Sequence, residues 1–490
     1  MLSEQVYKDK VLACWIGKNI GGTVGAPMEF IRQKNVIDGY GKTFDHPMPN
    51  DDLDLQILWL IALEEKGNNL TSERLCEYWQ RYVTPHWGEY GIAKVNMKSG
   101  LLPPMSGTCN NHMFKHSNGA WIRSEIWACL APGRPDVAVQ YAVKDAIIDH
   151  GNGEGSYAEV FMAALQSCAF YESDLAVLLD IALSYIPADC GVARAVRDAA
   201  DCCQKGMTLD EIRFFLLKNY CGAPANPGKM SEEDKENGFD QGPIGYDAPL
   251  NVGIVVAGLM YGGNCFDKVI KSTIYFGEDT DCTVGTAAST YGLIYGSARI
   301  EPEWREPIGD RINTGCLNLG ELGVYGDILP QTVGEFTDRV FRQYQRLGDE
   351  IAGSGALNQK AGAHVPDMMQ RYMNTTSFTS DFYSVFVDYI TEDCRIEPSV
   401  PRTVRITVSS EYKTADILNL RWILPDEMTV SPKETSKLFL MFKGFEAGEK
   451  TLEFTFTADC PPPVSRALLE ITIDGRTTCL YVPVVFYCES

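Results

Sequence analysis

The stretch GEDTDCTV, residues 277–284, crowds Glu278, Asp279, Asp281 and Cys282 together where KSTIYF gives way to the small-residue run TVGTAASTYGLIYG. Two other stretches share its character. GGTVGAPMEF, residues 21–30, ends a glycine-spaced run at Pro27 and delivers Glu29; PNDDLDLQILWL, residues 49–60, sets Asn50, Asp51, Asp52 and Asp54 at the opening of an apolar helix. Each has a plain reading, since Asn and Asp at a helix start cap free N–H groups and suit the positive end of the dipole. Capping does not account for several acids on helices that should be central, because buried carboxylates repel one another unless protonated, paired with cations or bound to a metal. Few basic residues neighbour these motifs, so a hard divalent cation is the economical partner, and all-oxygen donors favour magnesium, manganese or calcium over zinc. The Cys282 thiol suits a softer ion than magnesium; equally, it reads as a buried cysteine turned into the helix core.

The elements that must carry these groups read as helices up to about residue 390. Leu55, Leu58, Trp59 and Ala62 repeat at three-to-four spacing, as do Val284, Ala287, Ala288, Tyr291 and Tyr295. Gly17, Gly21 and Gly25 form one smooth stripe, and Gly285, Ser289, Gly292 and Gly296 another; both predict helices packed closely at the centre of a bundle. After about residue 395 the period becomes two: Val404, Ile406 and Val408 alternate, as do Leu452, Phe454 and Phe456, then Leu469, Ile471 and Ile473, with turn signals IDGR and PPP between. The expected organisation is a mainly α protein: a helical catalytic unit over 1–350, a connecting segment over 351–395 that includes GSGALNQKAGA, and a small Ig-like β-sandwich over 396–490.

A formal charge of −22 over 490 residues, without a local basic cluster, argues against a nucleic-acid surface, and none is evident. The start MLSEQVYKDK lacks the pattern of a signal peptide, and no apolar run is long enough to span a bilayer, so no membrane association and a cytoplasmic location are expected. The 16 cysteines are scattered, with no paired CxxC of zinc-ribbon spacing, and read as small buried hydrophobes in a reducing compartment. His112 and His116 have four-residue ligand spacing but no Glu or Cys companion in a zinc pattern, and read as surface or loop residues.

Taken in order, G-x-x-G-A-P-x-E-F, x-D-D, S-N-G-A-x-x-R, D-H-G and G-x-D-T-D resemble the ADP-ribosylglycohydrolase family, of the dinitrogenase-reductase-activating-glycohydrolase type, over roughly residues 5–300. The resemblance implies an all-α bundle with one or two Mg2+ or Mn2+ ions in a central cleft, and cleavage of the N- or O-glycosidic bond joining ADP-ribose to an acceptor. It implies metal-site positions at Glu29, Asn50, Asp51, Asp52, Asp279, Asp281 and Cys282, with Glu29, Asp52 and Asp281 as catalytic candidates. It matches Ser117, Asn118 and Gly119 to a loop that holds a diphosphate, and His150 to a position facing the same ligand. Exposed amides at a glycine-containing turn before a helix make a sensible anion site, although the loop also reads as an ordinary capped turn. The chain departs from the family where Asn50 replaces a threonine, Leu53 a second threonine, Glu278 a glycine and Cys282 a hydroxyl residue, and where Gly21-Gly22 replaces Gly-Asp.

A furanosyl C1 bond breaks through an oxocarbenium-like state, helped where metals grip the ribose hydroxyls and position water at C1. Glu29, on a segment of its own, is the candidate to activate water or protonate the leaving group, or else a structural ligand. The expected substrate is an ADP-ribosylated protein or a small ADP-ribose or glycoside compound. A glycoside without a diphosphate, or a family relic without turnover, are the alternatives that the departures leave open.

Overall fold

The two glycine stripes meet. A methyl group placed on Gly17 would lie 2.4 Å from the Ala288 carbonyl oxygen, one on Gly21 2.4 Å from the Gly285 Cα, and one on Gly25 2.4 Å from the Thr280 oxygen. Residue numbers on the Glu4–Gly25 helix rise as those on the Thr280–Tyr295 helix fall, so the two run antiparallel with their backbones in contact. Thr280 Oγ1 donates to the Gly25 oxygen at 2.8 Å and ties the ends that carry the acids. The computed structural model describes all residues except 1, 42, 43, 45, 225, 227, 352–356, 381, 433, 434, 445–447, 489 and 490.

Around this pair the Asp51–Lys66 and Ala248–Gly262 helices are buried on nearly every face, as central helices must be. Trp15, Trp59, Trp79, Trp121 and Trp127 are wholly inside, each burial worth about 1.5–3 kcal/mol or more. Among the described residues no helix is long and apolar enough to cross a membrane.

Nine antiparallel strands follow among the described residues: β1 (Thr376–Thr379), β2 (Tyr383–Asp388), β3 (Arg402–Ser410), β4 (Asp416–Ile423), β5 (Met428–Ser431), β6 (Thr435–Leu440), β7 (Glu449–Ala458), β8 (Val464–Ile473) and β9 (Cys479–Tyr487). They form one sheet of order β1-β2-β3-β7-β5 and another of order β6-β4-β8-β9. Val404, Ile406, Val408, Phe454, Phe456, Leu469, Ile471 and Ile473 all turn inward, and Trp422 of the second sheet meets Phe454 and Phe456 of the first at 5.2 and 5.0 Å between ring centroids. The segment expected to connect, 351–395, holds the Val365–Asn374 helix and the first two strands, because Val385 and Val387 join the same core and pair with Val408 and Ile406. Residues 352–356 of that segment, which take in the first four residues of GSGALNQKAGA, lie outside the described residues.

The strands dock on the segment that leads into Ser117. Leu101, Met105 and Cys109 belong to the strand core, the Cys109 and Cys394 sulfurs are 3.7 Å apart, and Lys115 Nζ meets Glu392 at 3.0 Å.

Candidate active site

Local backbone geometry puts Glu29 beside Asp279. The Glu4–Gly25 helix runs out through a short 3-10 turn, Ala26–Met28, with Pro27 in its first turn, and the chain then pairs antiparallel at Ile31 with Glu278. The Phe30 N–H donates to the Glu278 oxygen at 2.9 Å. Gly277 has φ +76° and packs where a methyl group would lie 2.4 Å from the Gln33 oxygen, so glycine is required there; Glu278 adopts φ +69° although it carries a side chain. Its carboxylate forms a two-pronged pair with buried Arg32 at 2.6 and 2.7 Å.

A cavity of about 770 Å³ opens over this junction, lined by Glu29, Arg32, Asn50, Asp51, Glu89, Tyr90, Ser117, Asn118, Gly119, Asp247, Glu278, Asp279, Asp281 and Cys282, with the exposed aromatics Trp87 and Phe30 in its wall. Two groups of acids have ligand atoms within 4.8 Å of one another: Glu29, Asp279 and Asp281; and Asp52, Asp281 and Cys282. Asn118 Nδ2 donates to Asp279 Oδ2 at 2.7 Å, leaving Asp279 Oδ1 and Asp281 Oδ1 buried with no protein donor. Burial, then Asp281, Asp51 and Asp52, pushes the Glu29 carboxyl up to about 8. Asp279 is pushed up to about 7, chiefly by burial with a contribution from Glu29, and Asp281 well above the carboxylate range by burial and Asp279. Orphaned buried carboxylate oxygens at this spacing fit a hard divalent cation, which would sit on Glu29, Asp279 and Asp281.

Folding the metal-free chain therefore retains protons on Glu29 and Asp279 that the unfolded chain has released. A folded pKa above the unfolded value of about 4 makes stability fall as pH rises, from about 4–4.5 through about 8. Metal-free thermal melts between pH 5 and 8.5 should show a falling midpoint that added Mn2+ flattens; a flat metal-free profile would mean that these acids do not share a dry site.

The structure brings most of the sequence candidates together, with differences. Asp51 faces the cleft and accepts from Tyr90 at 3.3 Å, but Asp52 is wholly buried and does not reach the cavity wall. Asn50 caps its helix: Oδ1 accepts from the Asp52 N–H at 2.9 Å, and Nδ2 fills the space that a side chain on Gly22 would need, 1.9 Å from such a Cβ. Two departures from the family pattern thus fit each other. Cys282 borders the cavity and donates its thiol to Asp52 Oδ1 at 3.5 Å.

Ser117, Asn118 and Gly119 border the cavity, while His150 does not: it is wholly buried behind the loop, Nε2 3.2 Å from Ser117 Oγ and Nδ1 3.0 Å from Asp149. The close approach of Gly155, where a methyl group would lie 2.0 Å from the His150 ring, holds it there. His116 Nδ1 accepts from the Glu154 N–H at 3.1 Å, a loop role as read, and His112 is exposed.

Sequence reasoning missed three groups. Lys18 is buried among the acids, although its signal, a lone cation inside the glycine stripe, was visible. Glu89 stands over the loop, its Oε1 2.3 Å from where a methyl group on Gly119 would be. Arg32 is the one cation among the described residues lining the cavity, and Glu278 already spans it.

No curated protein matches the chain. A solved ADP-ribosylglycohydrolase-related protein complex is similar over 69% of this chain and 99% of that chain, at 16% identity and TM-score 0.44. A FixG-related protein from Vibrio parahaemolyticus is similar over 23% of this chain and 100% of that one, at 12% identity and TM-score 0.18. The family model described as ADP-ribosylglycohydrolase matches residues 3–345, which take in every acid of the cleft, and on that match the chain belongs to the ADP-ribosylglycohydrolase family.

Proposed function

We propose that the chain is a metal-dependent glycohydrolase that cleaves a ribosyl N- or O-glycosidic bond, with ADP-ribose on a modified acceptor as the reference substrate. The observation that carries this reading is the convergence of Glu29, Asp279 and Asp281, with unpartnered buried oxygens, beneath a cavity of about 770 Å³ flanked by Ser117–Gly119. A bound Mg2+ or Mn2+ would supply Lewis-acid grip on ribose hydroxyls and on water. Burial and the neighbouring acids hold the Glu29 carboxyl near 8 in the metal-free chain, and beside a bound cation that proton would be released to leave a carboxylate. It suits taking a proton from the water whose oxygen bonds to C1 and passing that proton to the leaving oxygen or nitrogen as the C1 bond breaks. Asn118 orients Asp279, and Tyr90 orients Asp51.

Glu89 favours a second reading, a glycoside without a diphosphate. Its carboxylate lies against Gly119, in the loop that the family resemblance assigns to the diphosphate, and the cavity otherwise offers Asp247, Glu278 and a guanidinium already paired. An anion brought there meets carboxyl groups rather than a free counter-ion. We read the nine strands as a sandwich whose part is to steady this loop through Lys115–Glu392 and Asn152–Glu392, at 3.0 and 3.1 Å.

The test is Mn2+-dependent release of ribosyl product from arginine-, serine- and DNA-linked ADP-ribose beside a panel of phosphate-free ribosides. Turnover of neither set sinks the glycohydrolase reading. Glu89→Gln is the discriminating variant: if Glu89 excludes the diphosphate, ADP-ribose affinity by calorimetry should rise about tenfold or more, the 1.4 kcal/mol of one decade. An unchanged affinity places Glu89 outside the subsite.

A further inference from the structure

We infer that the cleft is a one-cation centre, in which the ammonium of Lys18 takes the place of a second cation and engages Asp52, beside Glu125, as a counter-ion rather than a metal ligand. The inference rests on the metal-dependent reading of the cleft and goes beyond it in the number of ions and the role of Asp52.

Lys18 lies one residue beyond Gly17 on the first helix and threads between it and the Thr280–Tyr295 helix at Gly285. A methyl group on Gly285 would lie 3.3 Å from Lys18 Cδ and 3.5 Å from Asp52 Oδ2, so the glycine opens the passage for the lysine stem. The ammonium is wholly buried, with Glu125 Oε1 at 2.7 Å, the Ile122 oxygen at 2.9 Å, Thr286 Oγ1 at 3.0 Å and Asp52 Oδ2 at 3.3 Å. Glu125 is held in turn by Gln56 Nε2 at 2.8 Å and Ser289 Oγ at 2.7 Å. Four oxygens around three N–H groups leave Lys18 fixed and fully used.

The acids of the two groups are consequently not equivalent. Asp52 has both oxygens engaged, Oδ2 by Lys18 and Oδ1 by the Cys282 thiol at 3.5 Å, whereas Asp279 and Asp281 each keep a buried oxygen without a donor. The Asp52–Asp281–Cys282 group offers a dication one carboxylate already hydrogen-bonded at both oxygens and sharing the Lys18 charge with Glu125, a thiol sulfur, and one aspartate shared with the other group. An ion there would also approach a fixed positive charge in a dry interior, where Coulomb repulsion is poorly screened. Among the described residues no cation is hydrogen-bonded to the Glu29–Asp279–Asp281 group, and the single ion belongs there.

Manganese titration of the full chain followed by calorimetry and electron paramagnetic resonance tests this without an activity readout. One equivalent with an uncoupled six-line spectrum is expected. Two equivalents with the exchange coupling of ions about 3.5–4 Å apart overturn the inference alone. No bound manganese overturns it together with the metal reading beneath it. In the charge-balanced double variant Lys18→Leu with Glu125→Gln, checked for folding by circular dichroism, Asp52 is released and a second, coupled equivalent should appear. A folded double variant that still takes one ion shows that Lys18 is not what sets the number. If the variant does not fold, the native stoichiometry decides.

Discussion

Asp281→Asn should abolish divalent-ion binding and hydrolysis together while the far-ultraviolet spectrum stays native. Asp281 belongs to both acid groups, one of its oxygens is buried without a donor, and it lies in the first turn of the Thr280–Tyr295 helix. The amide keeps the shape and removes the charge. Loss of one charge aimed at the reacting centre typically costs about 10²–10³ in turnover, and loss of a carboxylate ligand should weaken Mn2+ by more than the roughly 10–100-fold of an outer partner. The sign of the stability change separates this from a structural role. Burial, with Asp279 and then Asp51, raises the Asp281 carboxyl well above its ordinary range in the metal-free chain, so at neutral pH folding must take up a proton there; the amide needs none and should raise the metal-free melting temperature. A variant with unchanged Mn2+ affinity and a lower melting temperature would make Asp281 a helix-start acid and nothing more.

What the sequence made legible follows from what each constraint demands. The glycine stripes could be read because two backbones at contact distance leave no room for a Cβ, and a four-residue spacing repeated on two segments has few other causes. The acidic helix starts could be read because charge crowding is local. Which member of Asn50-Asp51-Asp52 faces the cleft could not, since successive helical residues turn about 100° apart and adjacency in the chain says nothing of the face. Asp51 points to the cleft, Asp52 inward to Lys18, and Asp54 to the amides of Gly315 and Cys316 at 2.7 and 2.8 Å. The expectation of few cations near the acids failed for the same reason. Lys18 is 34 residues from Asp52, and Arg32 is 246 from Glu278, so both pairs exist only through tertiary packing. The strand region begins earlier than the change of period suggests because β1 and β2 are too short to show a period of their own.

The second large effect is on the fold, at the last residue of the S-N-G-A-x-x-R motif. Arg123 is wholly buried; its guanidinium reaches Asp145 at 3.0 Å, both oxygens of Asp149 at 2.8 and 3.1 Å, and the Gly119 carbonyl at 2.6 Å, and it stacks over the Trp79 ring at 4.9 Å. Burial alone would raise the Asp149 carboxyl, yet Arg123 and then His150 hold it below the ordinary carboxylate range. Arg123→Met leaves two buried carboxylates without their cation, and breaking such a pair from one side costs about 3–5 kcal/mol. Since the guanidinium also holds the Gly119 oxygen, the Ser117–Gly119 loop should loosen with it, and substrate binding should weaken beyond what the stability loss explains. Arg123→Lys restores the charge but not the planar fork, and should recover part of the stability and little of the loop order. Denaturant unfolding of both variants beside the native chain measures the first effect, and amide exchange at residues 117–119 the second. A methionine variant within about 1 kcal/mol of the native chain would show that Asp145 and Asp149 take up protons when the arginine leaves, and that the motif's arginine serves the loop rather than the fold.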